Sequence, residues 1–204
     1  MKRMLAMLLA MLMLAAPALA EETDPQYAAN AAFARVLLED ERYLPLSDDA
    51  RMPSEWDVVR FTMLDMDGDG VQEVIVELTN WEAFVILFWY GETGEVYGAE
   101  IVYRALLNLK DDGTSSFSSG AMDGGVSSLC LAVNSETNKP DAIGRFHLAE
   151  SVMMADGSVC YTLDCGVEET DEAGYQAFLA EQDAKLDALW YDYTEENLKL
   201  LLGQ

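Results

Sequence analysis

Apolar residues recur along this chain with two different periods, and the change of period lays out the fold. Between Asp24 and about Asp40, the positions Ala29, Phe33, Val36 and Leu37 fall on one side of a 3.6-residue repeat, which predicts a helix. Asp24-Pro25 supplies its start, with the aspartate as cap and the proline, whose φ is already helical, at the first position. Residues 44–56 contain Pro45 and Pro53 among polar residues and read as a connection. The period then falls to two. Val59, Phe61 and Met63 alternate with Arg60 and Thr62, and Val74, Val76 and Leu78 alternate with Glu73 and Glu77, as half-buried strands do.

Ala83 to Tyr90, AFVILFWY, is apolar at both parities and reads as a central strand covered on two faces. The turn Gly91-Glu92-Thr93-Gly94 leads into a strand over Glu95–Tyr103, and Leu106–Leu109 suits a further short strand. Gly113–Gly125, rich in Ser and Gly, reads as a mobile connector. Ser127–Val133 is strand-like and Asn134–Asp141 a polar loop. Ile143–Ser151 and Val159–Cys165 form a hairpin about Asp156-Gly157. Tyr175, Phe178, Leu179, Leu186, Leu189 and Trp190 return to helical spacing, and Thr194 caps a short last helix through Leu198, Leu201 and Leu202, closed by Gly203. The fold class expected is α+β: an N-terminal helix, one antiparallel sheet of six or more strands, and C-terminal helices on one face of it.

The first twenty residues belong to a different pattern. Lys2 and Arg3 precede an unbroken apolar run from Met4 to Ala16, and Ala18-Leu19-Ala20 offers small residues where a signal peptidase reads them. A run of 13 residues is shorter than the roughly 20 that span a bilayer, so residues 1–20 read as a signal peptide and residues 21–204 as a single secreted or extracytoplasmic domain. A retained hydrophobic anchor is the competing reading. No cysteine stands at the cleavage site to carry a lipid, and no later stretch is long enough to span a membrane. Export permits a disulfide. Cys160 and Cys165 lie an odd number of residues apart and face opposite ways on a regular strand, so a bridge from Cys130 to one of them is expected, with three free cysteines as the alternative.

Charge narrows the partners. The chain has 37 acidic residues against 12 basic ones, a formal net charge of −25. Such a surface repels nucleic-acid backbones and anionic lipid, and leaves cations and basic partners open.

Five of those 37 acidic residues fall in one short stretch, LDMDGDGVQEVIVEL, residues 64–78. Asp65, Asp67 and Asp69 alternate ahead of Gly70, so their carboxylates can aim at one centre while the glycine allows a sharp turn. Calcium takes six to eight oxygen ligands, and the set expected is Asp65, Asp67, Asp69, the backbone carbonyl of Val71, and Glu73 directly or through water. An Asp/Gly-rich hairpin turn without an ion is the competing reading.

Through its first seven positions the loop resembles those of EF-hands and dockerins. It departs at the twelfth, where Val76 stands in place of a bidentate glutamate, and at the strand-like segment that follows Gly70. The strand-loop-strand calcium loop of integrin-type propeller repeats, D-x-D-x-D-G-x-x-D, is the nearer match, with Glu73 at the last position, although this chain has one copy and no propeller is implied. The stretch FTMLDMDGDGVQEVIVEL also resembles a family of exported, mostly uncharacterised bacterial proteins, in which F-x-L-x-D-x-D-G-D-G-x-x-E-L follows an N-terminal helix and begins a sheet. That resemblance covers residues 57–79 and implies a calcium-type loop in an exported domain, with no known catalytic activity.

Other candidates are weaker. His147, the one histidine, sits in a strand-like stretch with Arg145 on its face, and no nucleophile-elbow or phosphate-loop pattern occurs. Trp81, Trp89, Tyr90, Tyr97 and Tyr103 are concentrated in the middle strands, where they serve as core or as a strip for stacking on a sugar or peptide. Three functions follow: a secreted calcium-binding domain that engages an extracellular protein or glycan, a secreted hydrolase using paired carboxylates, or an accessory structural domain with no ligand but calcium.

Overall fold

In the computed structural model, residues 24–47, 51–79, 83–120 and 123–204 are described. The expected signal segment 1–20 and Trp81 lie outside them. The chain folds as α+β, with three α-helices and eleven strands among the described residues. Helix α1 (Pro25–Glu39) begins where expected, with the Asp24 carboxylate accepting the Gln26 amide, and ends at Asp40, which is left-handed with φ 56°. Its apolar stripe, including Ala29, Phe33, Val36 and Leu37, is buried.

The strands form two sheets where one was expected. The first contains β1 (Leu44–Pro45), β2 (Val58–Leu64), β3 (Glu73–Leu78), β4 (Ala83–Tyr90), β5 (Glu95–Val102) and β11 (Tyr191–Asp192), in the order β1-β5-β4-β3-β2-β11. Only β1, beside β5, runs parallel to its neighbour. The second is an antiparallel meander of β6 (Ser115–Ser118), β7 (Gly124–Asn134), β8 (Lys139–Met153), β9 (Val159–Leu163) and β10 (Glu168–Thr170).

Alternation along β3 and β4 explains why the first sheet carries layers on both sides. Val74, Val76, Val85 and Leu87 face α1 and share its cluster with Leu198 and Leu202 of the C-terminal end. Ile75, Phe84, Ile86 and Phe88 face the other way and pack with Leu106, Leu109 and Leu129 of the second half. The double-sided apolar run at 83–90 is therefore a central strand, as its composition requires. Helix α2 (Glu172–Asp183) leaves the first sheet and lies against the second, with Tyr175 packed on Val126 and Ala149. Helix α3 (Glu195–Leu201), capped by Thr194 as expected, returns to α1.

Four local expectations are corrected. Residues 106–109 are not a strand, since a 3-10 turn at Tyr103–Ala105 precedes them and only single bridges, Leu107 to Ser116 and Lys110 to Asp187, hold the stretch. The Ser/Gly segment 113–125 contains β6, paired along Ser115–Ser118 with β7. The helical spacing at Leu186, Leu189 and Trp190 does not continue α2. The backbone there binds another segment instead, with the Asp111 amide donating to the Leu186 carbonyl at 3.0 Å and the Ala188 amide to that of Leu109 at 2.9 Å, and Leu186 and Leu189 are exposed. Cys130, Cys160 and Cys165 are all free thiols. Cys130 stands on β7 opposite Gly144, while Cys160 pairs with Val152 on the far side of β8, so the sheet holds the two strands apart.

Candidate metal centre

The acidic loop joins β2 to β3, so strands and not helices hold its two ends. Its turn is built from its own carboxylates. Asp65 accepts the amides of Gly68 at 2.6 Å and Gly70 at 2.9 Å, and Asp69 accepts that of Val71 at 2.7 Å. Gly70 has φ 87°, a left-handed conformation that costs other residues about 1–2 kcal/mol.

One oxygen each from Asp65, Asp67 and Glu73 lies within 4.8 Å of the others. Two ligands on opposite sides of a calcium ion, each about 2.3–2.6 Å away, are separated by roughly 5 Å, so this trio fits a single ion. Asp69 stands outside the trio, although it borders the same cavity. Val71 buries its side chain in the core, which leaves its backbone as the only part the loop can use. Val76, at the twelfth position, is fully buried on β3.

Glu73 is the unusual member, with 3% of its surface exposed. Its parity on β3 matches Ile75 and points it toward the second half of the fold. One oxygen accepts the Met66 amide at 2.7 Å, and no Lys, Arg or His pairs with it among the described residues. Burial, seconded by the charges of Asp67, Asp69 and Asp65 and opposed by the Met66 hydrogen bond, pushes its carboxyl up to about 9. Burial and the neighbouring Asp69 and Asp65 also raise Asp67, against hydrogen bonds from the backbone of Asp69 and Leu131. Converging carboxylates without a cation are thus held at an electrostatic cost, which a divalent cation offsets.

Distant segments brace the loop. Gln26 of α1 accepts the Gln72 amide at 2.7 Å. Gly113, with φ 80°, lies so close that a Cβ there would sit 2.6 Å from the Asp65 carbonyl oxygen and from the Met66 Cα. The turn that carries Gly113 is anchored by Lys110, a buried lysine whose Nζ donates to Asp187 at 2.7 Å, and by Lys185, paired with Asp112 at 2.7 Å. Cys130 is near enough that its thiol, raised first by burial, is raised further by Asp67.

A cavity of about 440 Å³ opens beside the loop, with Asp67, Asp69 and Glu73 on one wall and the end of β4, at Phe88, Trp89 and Tyr90, on another. Trp89 and Tyr90 were visible as part of the aromatic concentration. Leu131 and Val133, which complete the cavity from β7, and Gln26 and Gly113 carry no signal in the sequence that connects them with residues 65–73. Elsewhere, Tyr97 is buried, and Tyr103 is exposed but stacked on Phe84. His147 pairs with Glu150 at 3.1 Å and touches Phe117, in keeping with a role on the strand surface. A second cavity of about 390 Å³ lies between α2 and the second sheet and is bordered by Asp123 and Glu172. Asp123 is already engaged there by the Met153 amide at 2.7 Å. No helix among the described residues is long and apolar enough to cross a membrane.

Compared with known protein families, with curated proteins and with solved structures, the chain matches none.

Proposed function

We propose that this chain is an exported calcium-binding domain, in which the ion fixes the β2–β3 loop and the surface around it for an extracellular or envelope partner. The reading rests on one observation above all: Asp65, Asp67 and the buried Glu73 converge to within 4.8 Å with no basic side chain among them. A buried carboxylate without a cation is costly, and a bound divalent ion offsets that cost. Asp69 and the Val71 carbonyl, next along the loop, are the protein groups placed to add further oxygens. Outside the cell calcium is millimolar, so even a weak site fills. With the loop ends fixed in one sheet, the ion acts as a staple more than as a switch.

Calorimetric titration of calcium into chelator-stripped protein tests this. Saturable binding that Asp67→Ala abolishes is expected. Absence of heat at millimolar calcium, with the protein folded by circular dichroism, would reduce residues 65–73 to an acidic turn.

A further inference from the structure

Resting on the calcium reading, we propose that the cavity beside the acidic loop binds a neutral saccharide, with a pair of adjacent hydroxyls completing the ion's coordination and the indole of Trp89 against the sugar ring. The cavity, about 440 Å³, is within the range that takes a small ligand. Its acidic wall includes Glu73, of whose two oxygens one accepts the Met66 amide and the other meets no donor among the described residues. A nearly fully buried carboxylate therefore faces the cavity without a counter-charge.

The chemistry of the walls selects the ligand. Asp67, Asp69, Glu73 and Glu92 border the space, and among the described residues no Lys, Arg or His does. A divalent ion does not cancel four carboxylates, so phosphate, sulfate and acidic sugars are repelled. Calcium takes six to eight oxygens, more than the converging trio, Asp69 and the Val71 carbonyl supply at one oxygen each, and the positions left over suit neutral donors. Two adjacent hydroxyls chelate, so they displace two waters while the entropy of one ligand is lost. A peptide carbonyl offers one oxygen at a time, and an ammonium or guanidinium group competes with calcium for the same carboxylates.

The β4 end of the cavity suits the rest of a sugar. Trp89 packs on the core with one side and lies over the Gly91 backbone, where an added Cβ would come within 3.2 Å of the ring. The ring is thus held in place by a residue that leaves room for it. The negative face of an indole attracts the C–H groups of a pyranose, which hydroxyls polarise. Leu131 and Val133 of β7 close the cavity with apolar surface.

The test is an array of immobilised neutral glycans probed with the purified protein, in millimolar calcium and in excess chelator, beside calcium calorimetry on the same samples. Retention in calcium that chelator abolishes is expected. Trp89→Ala should weaken glycan binding about tenfold or more, the loss of one good aromatic contact, with calcium affinity unchanged. Val133→Trp fills the cavity from a position already 41% exposed, so it should block glycans without unfolding the protein. Calcium binding with no neutral glycan retained would overturn the saccharide and leave the calcium reading standing, whereas failure to bind calcium would remove both. Glycan binding that ignores the chelator, or survives both substitutions, would overturn the proposal, as would capture of basic peptides that calcium releases.

Discussion

Removing the charge of Asp67 while keeping its shape should move stability in opposite directions with and without calcium. Burial and the neighbouring aspartates disfavour its ionised form, so Asp67→Asn should raise the melting temperature of the chelator-stripped protein. The same change takes a ligand from the trio and should abolish the rise that calcium produces. That rise is about 2.7 kcal/mol at a hundred times the Kd, or about 5–10 °C for a chain of this size. Thermal scans of both proteins in chelator and in calcium read the two signs at once, and a shift of the same sign in both conditions would count against a metal at this site.

Glu73 gives the site a pH dependence whose direction is fixed by its burial. Its folded-state carboxyl titrates at about 9, above the 4.5 of an ordinary glutamate, so without metal it is protonated at neutral pH. Its contribution to stability is complete below the unfolded value and is lost as pH rises toward the folded one. The chelator-stripped protein should therefore soften between about pH 5 and pH 9, and Glu73→Gln should flatten that slope. Calcium requires the ionised form, so binding at pH 7 should release close to one proton. Calorimetry in two buffers of different ionisation enthalpy measures that release, and affinity should climb by up to about tenfold per pH unit.

Among the elements, the turn at residues 110–114 sets how firmly the loop is held. Gly113→Ala forces a side chain into left-handed backbone and against Asp65 and Met66. We expect a loss of roughly 2–4 kcal/mol from the two effects together, together with weaker calcium binding, because the displaced atoms belong to the first residues of the loop. Asp164→Ala, also at a positive φ but in the turn between β9 and β10, is the control: it should lower stability and leave calcium affinity alone.

What the sequence made legible follows the same division. The cap at Asp24, the double-sided strand at 83–90 and the loop at 65–73 were readable because each is specified by residues adjacent in the chain. The Ser/Gly segment hid β6 because its pairing with β7 is supplied by partners and not by composition. Leu186, Leu189 and Trp190 kept helical spacing while their backbone was claimed by residues 109–111, and nothing local to either segment reveals the other. Division of the strands into two sheets escaped for a related reason. The apolar positions of β3 and β4 show that both faces are covered, but not that a second sheet, with Leu129 among its contacts, does part of the covering. The aspartates of the site were legible; the cavity beside them, made by β4 and β7, was not.

At the scale of the molecule, two features bear on self-association. The formal net charge of −25 keeps copies apart through repulsion that salt screens. The first sheet, in addition, is bordered on each margin by a strand of only two residues, β1 beside β5 and β11 beside β2. These short strands act as shutters over a template that would otherwise accept a strand from another molecule. Replacing Tyr191 and Asp192 with proline should open the β2 margin while leaving α3 in sequence intact, and thioflavin fluorescence should then report fibrils that appear faster as salt is raised. A variant that stays monomeric in high salt would show that the margin needs no shutter. The two residues at 191–192 would otherwise be the part of this chain that keeps a concentrated solution of it from polymerising.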